Sequence, residues 1–278
     1  MIDHAGVSPS PLVICTTAIS ILVVLLSSRL VHVIRSIQNN RRRCSDNDDN
    51  IIMMASTSSK KSVSPTKNTT RQIKTMVVLG SGGHTTEMIR LLRELDVNRY
   101  APVIYVVANS DTTSIPRLQK FIREEENGLR KKDLSLWRGR HPDERCGGFG
   151  AVAAVHRLPR AREVHQSYVT SIFTTLHSFV QTLLLLIRVR PGLILANGPG
   201  TCVPVVYAAF ILRILTLGYG VSSKVVFVES LCRVQTLSLS GRLVYPIVDS
   251  FVVHWPYLQR KYPLVEVCDV FVLQHDGQ

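Results

Sequence analysis

The sequence has no C-x-x-C pair. Its six cysteines, Cys15, Cys44, Cys146, Cys202, Cys232 and Cys268, lie far apart with no zinc-ligand spacing. Such a scatter in a 278-residue chain argues against a disulfide framework and for reduced thiols facing the cytosol. No Gly-Lys-Ser/Thr follows a glycine run, which excludes a P-loop. His84-Thr85-Thr86-Glu87 lacks the second histidine of a metalloprotease helix, and neither a metal nor a cofactor is expected. Acidic residues are few: 20 against 33 basic ones, for a formal charge of +13. That balance favours anionic partners. Aromatic and basic residues do not interleave, so nucleic acid is not the partner expected. No internal repeat is visible.

What is present begins with a long apolar run, PLVICTTAISILVVLLSSRLVHVI, from Pro11 to Ile34. About 20 such residues suffice for a membrane-spanning helix. A cleaved signal peptide would want a basic leading region and a small-x-small cleavage site, and neither is evident. Arg29, Arg35 and Arg41 to Arg43 lie at the end of the run or after it, which predicts a single pass with this flank in the cytosol. Residues 1–37 are read as a lumenal tail and anchor. Residues 38–75, rich in Asn, Ser, Thr and Lys, are read as a flexible polar linker.

From residue 76 to 278 the pattern is that of an α/β domain. Strands are expected at MVVLG (76–80), VIYVVA (103–108), AVAAVHRL (151–158), LILA (193–196), KVVFV (224–228) and SFVVHW (250–255). Helices are expected at Glu87–Leu95, Ile115–Glu126, Ser167–Val189, Val203–Leu217 and about Ser240–Val248, with a glycine-bearing polar insertion at 127–150. Alternating strands and helices predict one Rossmann-like domain with a parallel sheet and right-handed crossovers. Runs such as VVFV, without polar alternation, fit strands buried on both faces.

In such sheets ligands lie beyond the carboxyl ends of the strands. Three loops there bear chemistry-capable residues. Gly80-Ser81-Gly82-Gly83-His84-Thr85 follows the first strand and Asn197-Gly198-Pro199-Gly200-Thr201 the fourth. Each precedes a helix, whose N-terminal N–H groups suit an anion. Glu229-Ser230 follows the fifth strand. The first loop departs from a dinucleotide fingerprint: Thr85 stands at the third glycine position, and Ala108-Asn109 puts no acid at the second strand's tip. A basic run after the third strand, with Arg160 and Arg162, could hold a diphosphate or anionic lipid heads.

Four motifs occur here in order. They are Gly80-Ser81-Gly82-Gly83-His84-Thr85-Thr86-Glu87-Met88, Pro159-Arg160-Ala161-Arg162-Glu163-Val164-His165-Gln166-Ser167, Asn197-Gly198-Pro199-Gly200-Thr201, and Val228-Glu229-Ser230 with Arg233. Together they resemble the membrane-anchoring subunit of the UDP-N-acetylglucosamine transferase of asparagine-linked glycosylation. The resemblance implies the N-terminal half of a split GT-B glycosyltransferase, inactive alone, on the cytosolic face of the endoplasmic reticulum membrane. It also implies a soluble partner carrying the UDP-GlcNAc site, and a dolichyl-diphosphate-GlcNAc acceptor that receives a second GlcNAc. On this reading Gly80, Ser81, Gly82, Gly83, Thr85, Asn197, Gly198, Gly200, Thr201, Ser230, Arg160 and Arg162 face the acceptor. His84 or Glu229 is then the base; the alternatives are that His84 only contacts the acceptor or caps its helix, and that Glu229 orients the acceptor or caps the next helix. A membrane-tethered nucleotide-binding oxidoreductase and a non-catalytic binding module remain as other readings.

Overall fold

The computed structural model describes residues 11–46, 72–96, 99–132, 152–159, 168–198, 200–216 and 223–268. Most of the expected linker, most of the 127–150 insertion, and Arg160 and Arg162 lie outside these residues.

The strands are β1 (Thr75–Val78), β2 (Val103–Ala108), β3 (Val152–Leu158), β4 (Leu193–Asn197), β5 (Lys224–Val228), β6 (Ser250–Val253) and β7 (Glu266–Val267). They form one parallel sheet in the order β3-β2-β1-β4-β5-β6-β7. The helices are α1 (Pro11–Asp46), α2 (Gly83–Arg93), α3 (Ser114–Lys132), α4 (Tyr168–Val189), α5 (Cys202–Leu215), α6 (Leu239–Val244) and α7 (Pro256–Lys261). The two-residue β7 and the short α7 were not expected from sequence. Neither has a periodic run long enough to signal itself.

Alternate residues of each strand feed opposite cores, because successive side chains leave opposite faces. Met76, Val78, Ile104 and Val106 pack with α4, α5 and part of α1. Val77, Leu79, Val103, Tyr105 and Val107 pack with Met88, Ile89 and Leu92 of α2 and with Leu118 and Phe121 of α3. Both faces are therefore covered, as the unalternating apolar runs require.

The strand order reverses between β1 and β4: the chain builds outward from β1 to β3, then returns to β1's other side. The loops leaving two adjacent strands there run to opposite faces and open a crevice at their carboxyl ends. The two glycine loops are those loops.

One boundary differs from the sequence reading. α1 does not stop near residue 37 but runs unbroken to Asp46, so residues 38–46 are helical. The polar NNRRR segment hides this continuation. Among the described residues one helix, over Ile19–Arg42, is long and apolar enough to cross a membrane, with mean hydropathy 1.7.

Candidate functional site

β1 delivers its loop to α2 through Gly82, whose φ of 68° lies in the left-handed region where a side chain is disfavoured. The turn that follows presents His84 and Glu87, three residues apart and so on one face of the helix. β4 ends at Asn197, fully buried, and β5 leads to Ser230.

These four side chains meet. His84 Nδ1 lies 2.9 Å from Asn197 Oδ1. An amide oxygen only accepts, so Nδ1 carries the proton and the neutral ring keeps its lone pair on Nε2. Asn197 Nδ2 donates to Glu87 Oε2 at 3.1 Å, and Ser230 Oγ donates to Glu87 Oε1 at 3.0 Å. Glu87 Oε2 is 3.6 Å from His84 Nδ1, an ion-pair distance, since the hydrogen itself points to Asn197.

Charge follows from this geometry. The Glu87 carboxylate pushes the His84 pKa above its ordinary value; burial opposes this and the Asn197 bond adds to it. Burial alone would raise the Glu87 pKa, but its contacts with His84, Asn197 and Ser230 outweigh that and hold it below the usual carboxylate range. The result is an imidazole made more basic by a carboxylate, the pairing used to accept a proton from a hydroxyl.

Around this cluster the other expected site residues divide. Gly83 and Gly200 have open space where a side chain would stand, and so does Gly82. Gly198 is different. Its φ is +81°, and a methyl group there would overlap the His84 ring. Its part is to let the second loop close onto the histidine. Thr85 is fully buried, and its hydroxyl is committed to the Gly80 carbonyl and to Ser114. Thr201 is buried at the start of α5. Ser81 is half-buried at the mouth of the first loop.

Glu229 is also fully buried. Its Oε2 accepts from Ser238 N–H at 2.9 Å and Ser238 Oγ at 3.1 Å, and its Oε1 from Ser230 N–H at 3.1 Å. Ser238 in turn caps α6 by accepting from Gly241 N–H. These contacts fit the capping alternative for Glu229 rather than a base, because both oxygens already hold backbone.

Two residues were not singled out from sequence. Glu87 had a legible signal, its H-x-x-E spacing at the start of a helix. Arg117 had none: it reaches from α3 to donate to the Gly82 carbonyl, with Thr86 Oγ1 3.3 Å away.

Residues 75–272 match the family described as "Oligosaccharide biosynthesis protein Alg14 like". The chain belongs to the Alg14 family. Its relatives include the human "UDP-N-acetylglucosamine transferase subunit ALG14", 42% identical over 69% of this chain and 79% of that one. A protein of the same name from Yarrowia lipolytica is 37% identical over 72% of this chain and 81% of the other. Among solved structures, Acinetobacter baumannii MurG aligns with a TM-score of 0.41 at 11% identity, over 67% of this chain and 42% of that one, too distant to bear on function. The matched region spans all four motifs and all seven strands.

Proposed function

We propose that this Alg14-family chain is the membrane-anchored, acceptor-binding subunit of a UDP-GlcNAc transferase. In this reading a soluble partner brings UDP-GlcNAc, and the pair adds the second GlcNAc to dolichyl-diphosphate-GlcNAc at the cytosolic face of the endoplasmic reticulum. Family membership and the relatives' shared description as a subunit support it. α1 suits a lipid-linked acceptor.

The observation that carries the chemistry is the His84–Asn197–Glu87 contact across the two glycine loops. The acceptor's diphosphate lies over Gly83 and Gly200, where the starts of α2 and α5 favour negative charge. The acceptor sugar's hydroxyl attacks the anomeric carbon of UDP-GlcNAc. As that bond forms, the bond to UDP breaks and UDP leaves with the electron pair, while Nε2 of His84 takes the hydroxyl proton. Glu87 steadies the imidazolium so formed, and Asn197 fixes the ring's tautomer and angle. Glu229 acts indirectly by holding the Ser230 loop.

The test is His84→Ala in the assembled complex, with transfer measured on a dolichyl-like acceptor. Turnover should fall by roughly 10²–10⁴-fold with little change in acceptor KM. Full turnover per folded molecule would remove His84 from the chemistry. A raised KM at unchanged turnover would make it a binding residue only.

A further inference from the structure

α1 is one continuous helix of 36 residues, but its surroundings change abruptly along it. Ile19, Ile21, Leu22, Val23, Val24, Leu25, Leu30 and Val31 are all exposed. Val33, Ile37 and Arg41 are buried, at 3%, 0% and 3% exposure. The spacing of four puts these three on one stripe of the helix, and Val33 and Ile37 belong to the same core cluster as α5 and α6.

Arg41 closes the contact. Its guanidinium lies 5.3 Å from the centre of the Tyr245 ring and donates through Nη2 to the Val248 carbonyl. The carboxylates of Asp249 and Glu266 are near enough to attract it. A buried cation is costly unless paired and hydrogen-bonded. Here a ring face and a carbonyl hold the guanidinium, Asp249 and Glu266 attract it from farther off, and Nε is left without a partner among the described residues; every one of these groups comes from the folded domain.

From Pro11 to Val31 the helix rises about 30 Å, the thickness of a bilayer's hydrocarbon core. Val33 follows within about 3 Å of rise. Residues 33–41 fall within the Ile19–Arg42 stretch by hydropathy, but the burial of Val33, Ile37 and Arg41 against the domain leaves Pro11–Val31 as the part free to span, so span and contact follow one another along one helix.

We infer that residues 33–41 of α1 clamp the anchor onto the folded domain, with Arg41 as the positioning residue, so that a rigid rod and not the 47–71 connection sets the domain's height and tilt at the membrane. This rests on α1 being the membrane anchor and goes beyond the proposed reaction. The consequence is that the site stays at a fixed depth relative to an acceptor whose lipid lies in the same bilayer.

The experiment uses the full chain in phospholipid vesicles, with a fluorescent amino acid at exposed Lys120 and energy-transfer acceptors on the lipid head groups. One narrow distance is expected. An eight-residue Gly-Ser insertion after Val31 cuts the rod above the clamp and should broaden or lengthen that distance. The same insertion after Lys60, within the connection, should leave it unchanged. Arg41→Ala should broaden it and speed hydrogen exchange at residues 33–41 at least tenfold, while Arg41→Lys should restore part of both. An effect of the Lys60 insertion equal to that of the Val31 insertion would overturn the clamp. So would an unmoved distance in the Val31 and Arg41→Ala chains. No arm depends on transfer, so loss of the proposed reaction would leave this result standing.

Discussion

Two glutamates stand at the same sheet edge, the half-buried Glu87 one turn into α2 and the fully buried Glu229 in the loop after β5, and they differ in what holds them. Glu87 is bound by the side chains of Asn197 and Ser230 and stands beside a histidine. Glu229 is bound mainly by backbone N–H groups and by the serine that caps α6. Backbone donors fix a loop; they gain nothing from a proton moving. A carboxylate facing an imidazole changes that ring's basicity. Glu229 is fully buried and Glu87 half-buried, and their partners separate the two acids further.

The largest effect should come from the glycine shelf on Glu87's side. A Gly83→Asp side chain enters open space and sets a carboxylate against the proposed diphosphate. Transfer should be abolished while membrane insertion persists. A fully active Gly83→Asp complex would mean that the first loop holds no phosphate.

Gly198→Ala should come next. The positive φ and the overlap with His84 together predict a loss of about 1–3 kcal/mol, read as a lower Tm. Turnover per folded molecule should also fall, because the ring must move. Unchanged turnover would show that the second loop does not set the histidine's position.

Glu229→Ala should do the reverse. It leaves Ser230 N–H and Ser238 N–H without their acceptor, which should cost about 1.5–3 kcal/mol by denaturant unfolding. Turnover per folded molecule should stay near that of the native chain. A fall of a hundredfold would place Glu229 in the chemistry after all and erase the contrast with Glu87.

The contrast also marks what sequence can and cannot show. The β1, β2 and β5 runs were legible because a strand buried on both faces is written as an uninterrupted apolar segment. Both glycine loops were legible because a strand-to-helix turn needs the backbone freedom seen at Gly82 and Gly198. Which residues those loops bring together was not. Asn197 and Glu87 are 110 positions apart, and nothing local to either names the other. The hold of Glu229 on Ser238, which caps α6, depends likewise on the fold of the loop between them. The stripe of Val33, Ile37 and Arg41 was present in the sequence, but it is split between an apolar run that looks like membrane and a polar run that looks like linker.

In the proposed reaction Glu87 acts through His84, and the pH dependence of kcat reads that link. The neutral ring accepts the proton, so turnover should rise with pH as His84 loses its own. Because Glu87 raises that pKa, the acid limb in the native complex should lie above that of an ordinary imidazole. Glu87→Gln keeps the shape of the side chain and removes the charge. Its amide oxygen can still accept from Asn197, and its NH₂ can donate to Ser230. In the Glu87→Gln complex the acid limb should move to lower pH, with kcat reduced across the profile. An acid limb that stays in place there would contradict that link.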